Sequence, residues 1–394
     1  MRMYSKRKVF WSACFGMLLF GIALISLGSI APELKEKLGM SEIEAGTLFS
    51  ILPFGILAGS LIFGPVADRY GYRMLLTLTC IFLSAGFEGL AFSQSTALLQ
   101  GSIFLIGLSG GVLNGATNAL VSDISDSART ANISLLGVFF GIGALGIPVL
   151  LSSLGKKLGY EKIMALVGII SLFVSFIYAV IKLPPPKIGQ HVPFSRIIDF
   201  FSDKVLIMIA FFLFFQSSYE GLMNNWTTSY LSDHLSLSQG KALLGLSLFV
   251  AGMVVMRLLT GLLIRNIDPA KLLAVSFLLL ITGIVLLELV LPAGMAPAGF
   301  FLIGTGLANG FPIMLGLTGE RYEKLSGTAF SFVLTIALLG NMVINYMMGI
   351  ISEKEGIGNL ITVISLEALI MIILGVFIFR NYKKSYYESG KTVA

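Results

Sequence analysis

The sequence predicts an all-α integral membrane protein, with twelve transmembrane helices arranged as two pseudo-symmetric halves of six. Three observations carry this expectation. Hydrophobic residues make up 56% of the 394 and charged residues only 12%, about half the charged share of an ordinary soluble chain. Twelve apolar runs reach the roughly 20 residues that a helix needs to cross a bilayer. Short motifs also recur at a fixed offset of 197 residues along the chain.

In chain order the runs are Val9–Ala31, Ala45–Ala67, Met74–Ser93, Ala97–Val121, Asn132–Ser152, Lys162–Leu183, Val205–Tyr230, Lys241–Ile264, Lys271–Val290, Pro297–Leu317, Thr328–Ile351 and Asn359–Arg380. The first is too long for a signal-peptide core and has no small-residue cleavage site, so it is expected to stay in the mature chain. With the N-terminus inside, the inner segments hold 19 of the 27 Lys and Arg, the outer loops 7, and one (Arg257) is intramembrane. That bias places both termini in the cytoplasm of a multi-pass inner-membrane protein. The net charge of +6 then reads as topology, and no nucleic-acid partner is implied. Cys14 and Cys80 fall inside runs, which points to free buried thiols. His191 and His234 sit in loops, and no spacing suggests a metal or another cofactor.

The longest polar interruption, Pro184 to Lys204, divides the chain. Residues 1–183 form the N-terminal six-helix half, 184–204 a cytoplasmic linker, and 205–394 the C-terminal half with its tail. Three prolines break any helix at the start of the linker. The stretch "FSRIIDFF" reads as a short amphipathic helix on the membrane surface. The halves repeat. "FLIG" at Phe104–Gly107 returns at Phe301–Gly304, and at the same offset Gly55 meets Gly252, Gly64 meets Gly261, Leu75-Leu76 meets Leu272-Leu273, and Asp123 meets Glu320. Two parallel six-helix repeats are a secondary-transporter architecture, with substrate expected near the midplane between them.

Between spans two and three stands "GPVADRYGYR". Gly64, Asp68, Arg69, Gly71 and Arg73 give G-x-x-x-D-R-x-G-x-R, which resembles the signature loop of the major facilitator superfamily. The resemblance covers the whole chain and implies that family's fold. It also implies a gate in which Asp68 faces the N-terminal end of span eleven, where the helix dipole favours an anion. The arginines would pair with acids such as Asp123. The repeat copy "GLLIRNIDPAK" keeps Gly261 but has Arg265 in the place of Asp68, so the second latch is degenerate.

Four further stretches, "GVFFGIGALGIP", "SSYEGLMNNW", "MRLLTGLL" and "NGFPIMLGL", resemble the sugar–cation symporter branch that includes bacterial fucose and glucose permeases. There are departures. Those permeases carry an acid in the middle of span four, where this chain has Asn114, and the fucose permease carries another in span one, where this chain has none. Proton coupling through those positions is therefore in question.

An ionisable group inside a span is costly and by default functional. Four acids qualify: Glu88, Glu220, Glu288 and Glu367. In this fold spans nine and twelve are peripheral, so Glu288 and Glu367 are expected to reach the interface or a partner. Glu220 is the first candidate for ion coupling and Glu88 the second. Gln216, Glu220 and Asn224 share one helical face, with Trp226 close by. The amides of Asn114 and Asn118, of Asn341 and Asn345, and of Asn309 complete the candidate substrate site. Amides donate and accept, and an indole face stacks on sugar C–H groups, which suits a neutral polyhydroxylated ligand. Arg257, one turn from Gly261, reads as structural, and Gly107, Gly111 and Gly115 as packing residues.

The leading expectation is a small-molecule transporter in the lipid bilayer, moving a sugar with a coupling ion, H+ or Na+. The alternative is a proton-driven exporter of drugs or metabolites. Such antiporters usually show "G-P-x-x-G-G" in span five, whereas here Gly146-Ile-Pro148 is followed by Val-Leu-Leu. A membrane sensor would normally append a soluble domain, and only 14 residues follow Arg380. No nucleophile–base pair, metal cluster or phosphate loop suggests an enzyme.

Overall fold

A computed structural model describes residues 4–39, 42–125, 128–186, 200–237, 239–262, 267–288 and 296–388. Among them there are no strands. Twelve helices are long and apolar enough to cross a membrane: Lys6–Ile30, Ser50–Tyr70, Tyr72–Phe92, Thr96–Ile124, Arg129–Pro148, Lys157–Val180, Lys204–Ser229, Leu244–Leu262, Pro269–Glu288, Ala298–Arg321, Ser326–Glu355 and Ile357–Tyr382. They are called spans 1 to 12 below, and each overlaps the run expected in its place. His191, Arg265 and residues 194–199 of the expected linker helix lie outside the described residues.

Local chemistry sets the ends. Spans 2 and 3 are separated by Gly71 alone, at φ 82° and ψ 163°, a conformation that side chains resist and glycine adopts readily. Gly159 (φ 75°) kinks the helical stretch Arg129–Val180 near the start of span 6. Asp203 caps span 7, its carboxylate accepting from the Val205 and Leu206 N–H groups at 3.0 and 3.3 Å. The first helix continues past span 1 to Leu38. There Lys37 meets Glu161 at 3.0 Å, and that hydrogen bond raises the lysine's pKa above its ordinary value. Cys14 and Cys80 are buried free thiols.

The chain packs as two compact units. One comprises Met1–Ser127, Leu136–Pro193 and Gly319–Phe332; the other comprises Ala128–Leu135, Phe194–Thr318 and Val333–Ala394. Each unit is thus mainly one half of the sequence, with a short segment from the other half.

Inside the units the repeat survives at the level of single contacts. Span 2 lies so close to span 4 that a Cβ on Gly55 would come within 3.0 Å of the Phe104 carbonyl, and one on Gly107 equally near the Leu52 carbonyl. In the other unit, Gly252 stands in the same way against the Phe301 carbonyl, and Gly304 against that of Phe249. All four pairs are related by the one offset. Spans 3 and 9 obey it too, with Gly86 on Ile106 and Gly283 on Ile303. In lipid no hydrophobic force drives helices together, so close backbone approach at small residues supplies the packing energy.

This makes a direct prediction. Gly107→Val and Gly304→Val should each destabilise the protein by about 1–3 kcal/mol through overpacking, seen as a lower melting temperature in detergent. Gly101→Val, where an added Cβ would have nothing within 4 Å, should leave the melting temperature unchanged.

Candidate functional site

Span 10 is not one helix. It runs as Ala296–Leu307 and Gly310–Arg321, with a turn at Ala308 and Asn309. The cause is local. Pro312 has no N–H, so the Ala308 carbonyl four residues earlier has no helical donor. A bare carbonyl within a membrane must find a partner elsewhere, and side chains from other spans supply one. Arg257 Nε of span 8 donates to the Ala308 carbonyl at 3.4 Å. Gln216 Nε2 of span 7 donates to the Leu307 carbonyl at 2.9 Å, and Gly310 leaves room for that amide, since a Cβ there would collide with it.

The same two side chains hold Glu220. Gln216 Nε2 donates to Glu220 Oε1 at 2.9 Å, and Arg257 Nη2 lies 3.8 Å from the same oxygen. The two charged side chains are only 12% (Arg257) and 20% (Glu220) exposed. Both contacts fall on Oε1, so among the described residues Glu220 Oε2 is left for another donor. Gln216 Oε1 is buried with no protein partner among them. Asn309 serves differently from its sequence reading as a substrate ligand. It is fully buried, accepts from Thr260 Oγ1 at 2.7 Å and donates to Ser276 Oγ at 3.0 Å. It pins spans 8, 9 and 10 together.

An adjacent face of span 7 meets span 11. Asn341 Nδ2 donates to the Ser217 carbonyl at 2.8 Å, and Asn345 Nδ2 to the Asn341 carbonyl at 2.9 Å. Asn345 Oδ1 accepts from Asn225 at 2.9 Å and from Trp226 Nε1 at 3.3 Å. Gly221 allows this, for a Cβ there would strike both span 11 amides. Asn224 is exposed, one turn beyond Glu220. In the other unit Asn118 is buried, and it donates to the Asn114 carbonyl at 2.8 Å and to its Oδ1 at 3.2 Å. Glu88, half-buried, packs on Gly168 of span 6.

Asp68 is 1% exposed, at the end of span 2, and is held by the start of span 11. Its carboxylate accepts from the N–H groups of Gly327 (3.3 Å) and Thr328 (2.8 Å), and from Thr328 Oγ1 at 2.7 Å. These are free N–H groups of a helix N-terminus, where an anion is favoured. Gly64 permits the approach, because a Cβ there would strike Gly327 and Thr328. Asp123 accepts from Tyr72 Oη at 2.7 Å and from Ser326 Oγ at 2.6 Å.

The motif's arginines depart from expectation. Arg73 donates to the Ala179 carbonyl and Arg69 lies over the Tyr70 ring, 5.0 Å from its centroid. Tyr72, a residue the motif reading passed over, reaches Asp123 where one of these arginines was expected.

Two more findings concern charge. Arg257, read as structural, reaches Glu220, a pairing consistent with that reading. The "NGFP" turn carried the signal, since a proline there strips the Ala308 carbonyl and calls for a donor. Glu367, expected to reach the interface or a partner, is 3% exposed and bonded to Ser218 of span 7. Glu288 is exposed at the end of span 9.

Comparison with known proteins agrees with this architecture. The family model of the Major Facilitator Superfamily matches residues 13–345. The glucose/mannose transporter of Bacillus subtilis (strain 168) is 26% identical over 384 residues, covering 93% of this chain and 94% of that protein. A crystal structure of the E. coli fucose:proton symporter is similar with a TM-score of 0.79 at 16% identity, over 94% of this chain and 98% of that one. The human organic anion transporter MFSD10 is similar at 0.77 and 18% identity, over 94% and 99%. Those two likenesses concern the fold alone, which by their names serves different solutes. With twelve spans, a repeated six-helix plan and a family match over most of its length, the chain belongs to the major facilitator superfamily of membrane transporters.

Proposed function

We propose that the protein moves a small neutral hydrophilic solute, a sugar, together with a cation (H+ or Na+) by alternating access across the inner membrane, with both termini cytoplasmic. The observation that carries this reading is Glu220, an acid inside the bilayer whose two contacts share one oxygen while the other is open. With Glu220 ionised the pair with Arg257 is neutral, so the empty site carries no net charge that draws an ionic solute. The amides of Gln216, Asn224, Asn341 and Asn345, with Trp226, offer donors, acceptors and an aromatic face. Asn114 and Asn118 are the candidate amides of the other unit. The glucose/mannose transporter from B. subtilis, similar over nearly the whole chain, and the fucose:proton symporter, similar in fold, support a sugar as the solute.

In this mechanism a cation arriving at Glu220 neutralises the carboxylate and weakens its hold on Arg257, which keeps its bond to the Ala308 carbonyl. If the cation is a proton, the acid then donates to a solute hydroxyl; a sodium ion held by the carboxylate would instead accept that hydroxyl's oxygen as a ligand. Cation and solute each favour the other's binding by the same factor. Glu88, in the peripheral span 3, is the second candidate for coupling. Gly64, Asp68, Arg69, Gly71, Arg73 and Asp123 form the cytoplasmic gate, with Asp68 on the N-terminus of span 11 as its latch.

Two experiments test this. In proteoliposomes, Glu220→Gln should preserve sugar exchange down a gradient and abolish accumulation driven by an imposed proton or sodium gradient. Continued accumulation would remove Glu220 as the coupling residue and bring Glu88 forward. Asp68→Asn should weaken the latch by about 1.5–3 kcal/mol, the range for a hydrogen bond to a charged group, and so favour the inward-open state. Single cysteines along spans 4, 5, 10 and 11 should then react faster with a reagent added from the cytoplasmic side. Unchanged labelling with normal transport would limit these charges to setting topology.

A further inference from the structure

Span 7 carries a third polar contact, on the face opposite Glu220. Ser218 is two residues from both Gln216 and Glu220, about 200° around the helix at 100° per residue. Ser218 is fully buried and Glu367 of span 12 is 3% exposed. The Ser218 hydroxyl meets Glu367 Oε1 and stands 2.9 Å from the Phe215 carbonyl. Among the described residues, Glu367 Oε2 and the neighbouring Tyr219 hydroxyl are both buried without a protein partner, and no Lys, Arg or His pairs with Glu367.

Counting hydrogens shows which form of the acid fits. Ser218 has one hydroxyl hydrogen for two neighbouring acceptors. An ionised Glu367 would draw that hydrogen away from the Phe215 carbonyl and carry a buried negative charge with no counter-charge, a costly arrangement inside a bilayer. A protonated Glu367 donates through Oε1 to Ser218 Oγ, and Ser218 donates on to the Phe215 carbonyl. Every hydrogen in the chain is then used. We infer that Glu367 is a proton-binding site that carries its proton as a resident group. Through Ser218 it fixes the rotation of span 7, so that the carbonyl of the preceding residue, Ser217, meets Asn341. Glu367 is thus a positioning residue and does not itself touch the solute.

The first test needs no solute and stands apart from the sugar reading. Infrared spectra of the purified protein near neutral pH should show the carbonyl stretch of a protonated carboxylic acid, lost in Glu367→Gln and shifted in frequency in Ser218→Ala. No band lost in Glu367→Gln would mean an ionised Glu367 and overturn the inference. A band unmoved in Ser218→Ala would overturn the link to span 7. Ser218→Ala keeps Glu367, so it remains informative even if the Gln variant fails to fold. The second test uses D-glucose binding and rests on the sugar reading. Glu367→Ala should weaken binding about tenfold, equal to the 1.4 kcal/mol of one lost hydrogen bond, and Glu367→Gln should restore it. Equal losses in both variants would overturn the positioning role. Absence of glucose binding in the wild type, with the infrared band present, would count against the sugar reading alone.

Discussion

Inside a bilayer an unpaired backbone carbonyl costs several kcal/mol, and Pro312 in span 10 leaves the Ala308 carbonyl without its helical donor. The cluster around Glu220 follows from how the carbonyls at this break are served. Gln216 must reach Leu307, so it lies inward on span 7, and Arg257 must reach Ala308, so a guanidinium is held within the membrane. A buried guanidinium calls for an acid, and Glu220 is the acid within reach. The cluster is therefore at once a repair of the backbone and a charge-bearing site. The repair fixes Gln216 and Arg257 in place, and the remaining oxygen of Glu220 is where a cation would bind in the proposed mechanism.

The repeat shows how duplicated sequences keep a fold while diverging in chemistry. Ser331 in span 11 donates to the carbonyls of Ser60 and Leu61 in span 2, the latter at 3.0 Å. Ser134 in span 5 donates to the Arg257 carbonyl in span 8 at 3.0 Å. Ser134 and Ser331 stand one offset apart, and so do Ser60 and Arg257. Each unit thus holds the start of a helix from the opposite half of the sequence by the same serine on the same carbonyl. Around that shared contact the latches differ, since the anion Asp68 in the first unit has no acidic counterpart in the repeat.

This also explains what was legible in the sequence. Spans were readable because crossing a membrane is a demand on length and composition. The duplication was readable where the contact requires glycine, as at Gly55 and Gly252. The serine clasp was not, because its acceptor is a backbone carbonyl and the side chains of Ser60 and Arg257 share nothing. Glu220 stood out because its helical face is polar, with Gln216 and Asn224 one turn to either side. The contact of Arg257 with Glu220 is not written in the spacing to Gly261, since a long side chain reaches a full turn from its own Cα. The burial of Glu367 is not written in its place on a peripheral helix, which still has an inner face. Tyr72 was hidden by a motif that counts only glycines and charges.

The central claim is that one acid, Glu220, links the cation to the solute, and binding equilibria test it most directly. D-glucose affinity of the purified protein, measured by calorimetry at low and high proton and sodium concentration, should tighten with the cation in the wild type. In Glu220→Gln, where a neutral amide stands in for the cation-bound acid, it should stay at the tighter value throughout. A wild-type affinity indifferent to both cations, or a Gln variant that keeps the full dependence, would contradict the account.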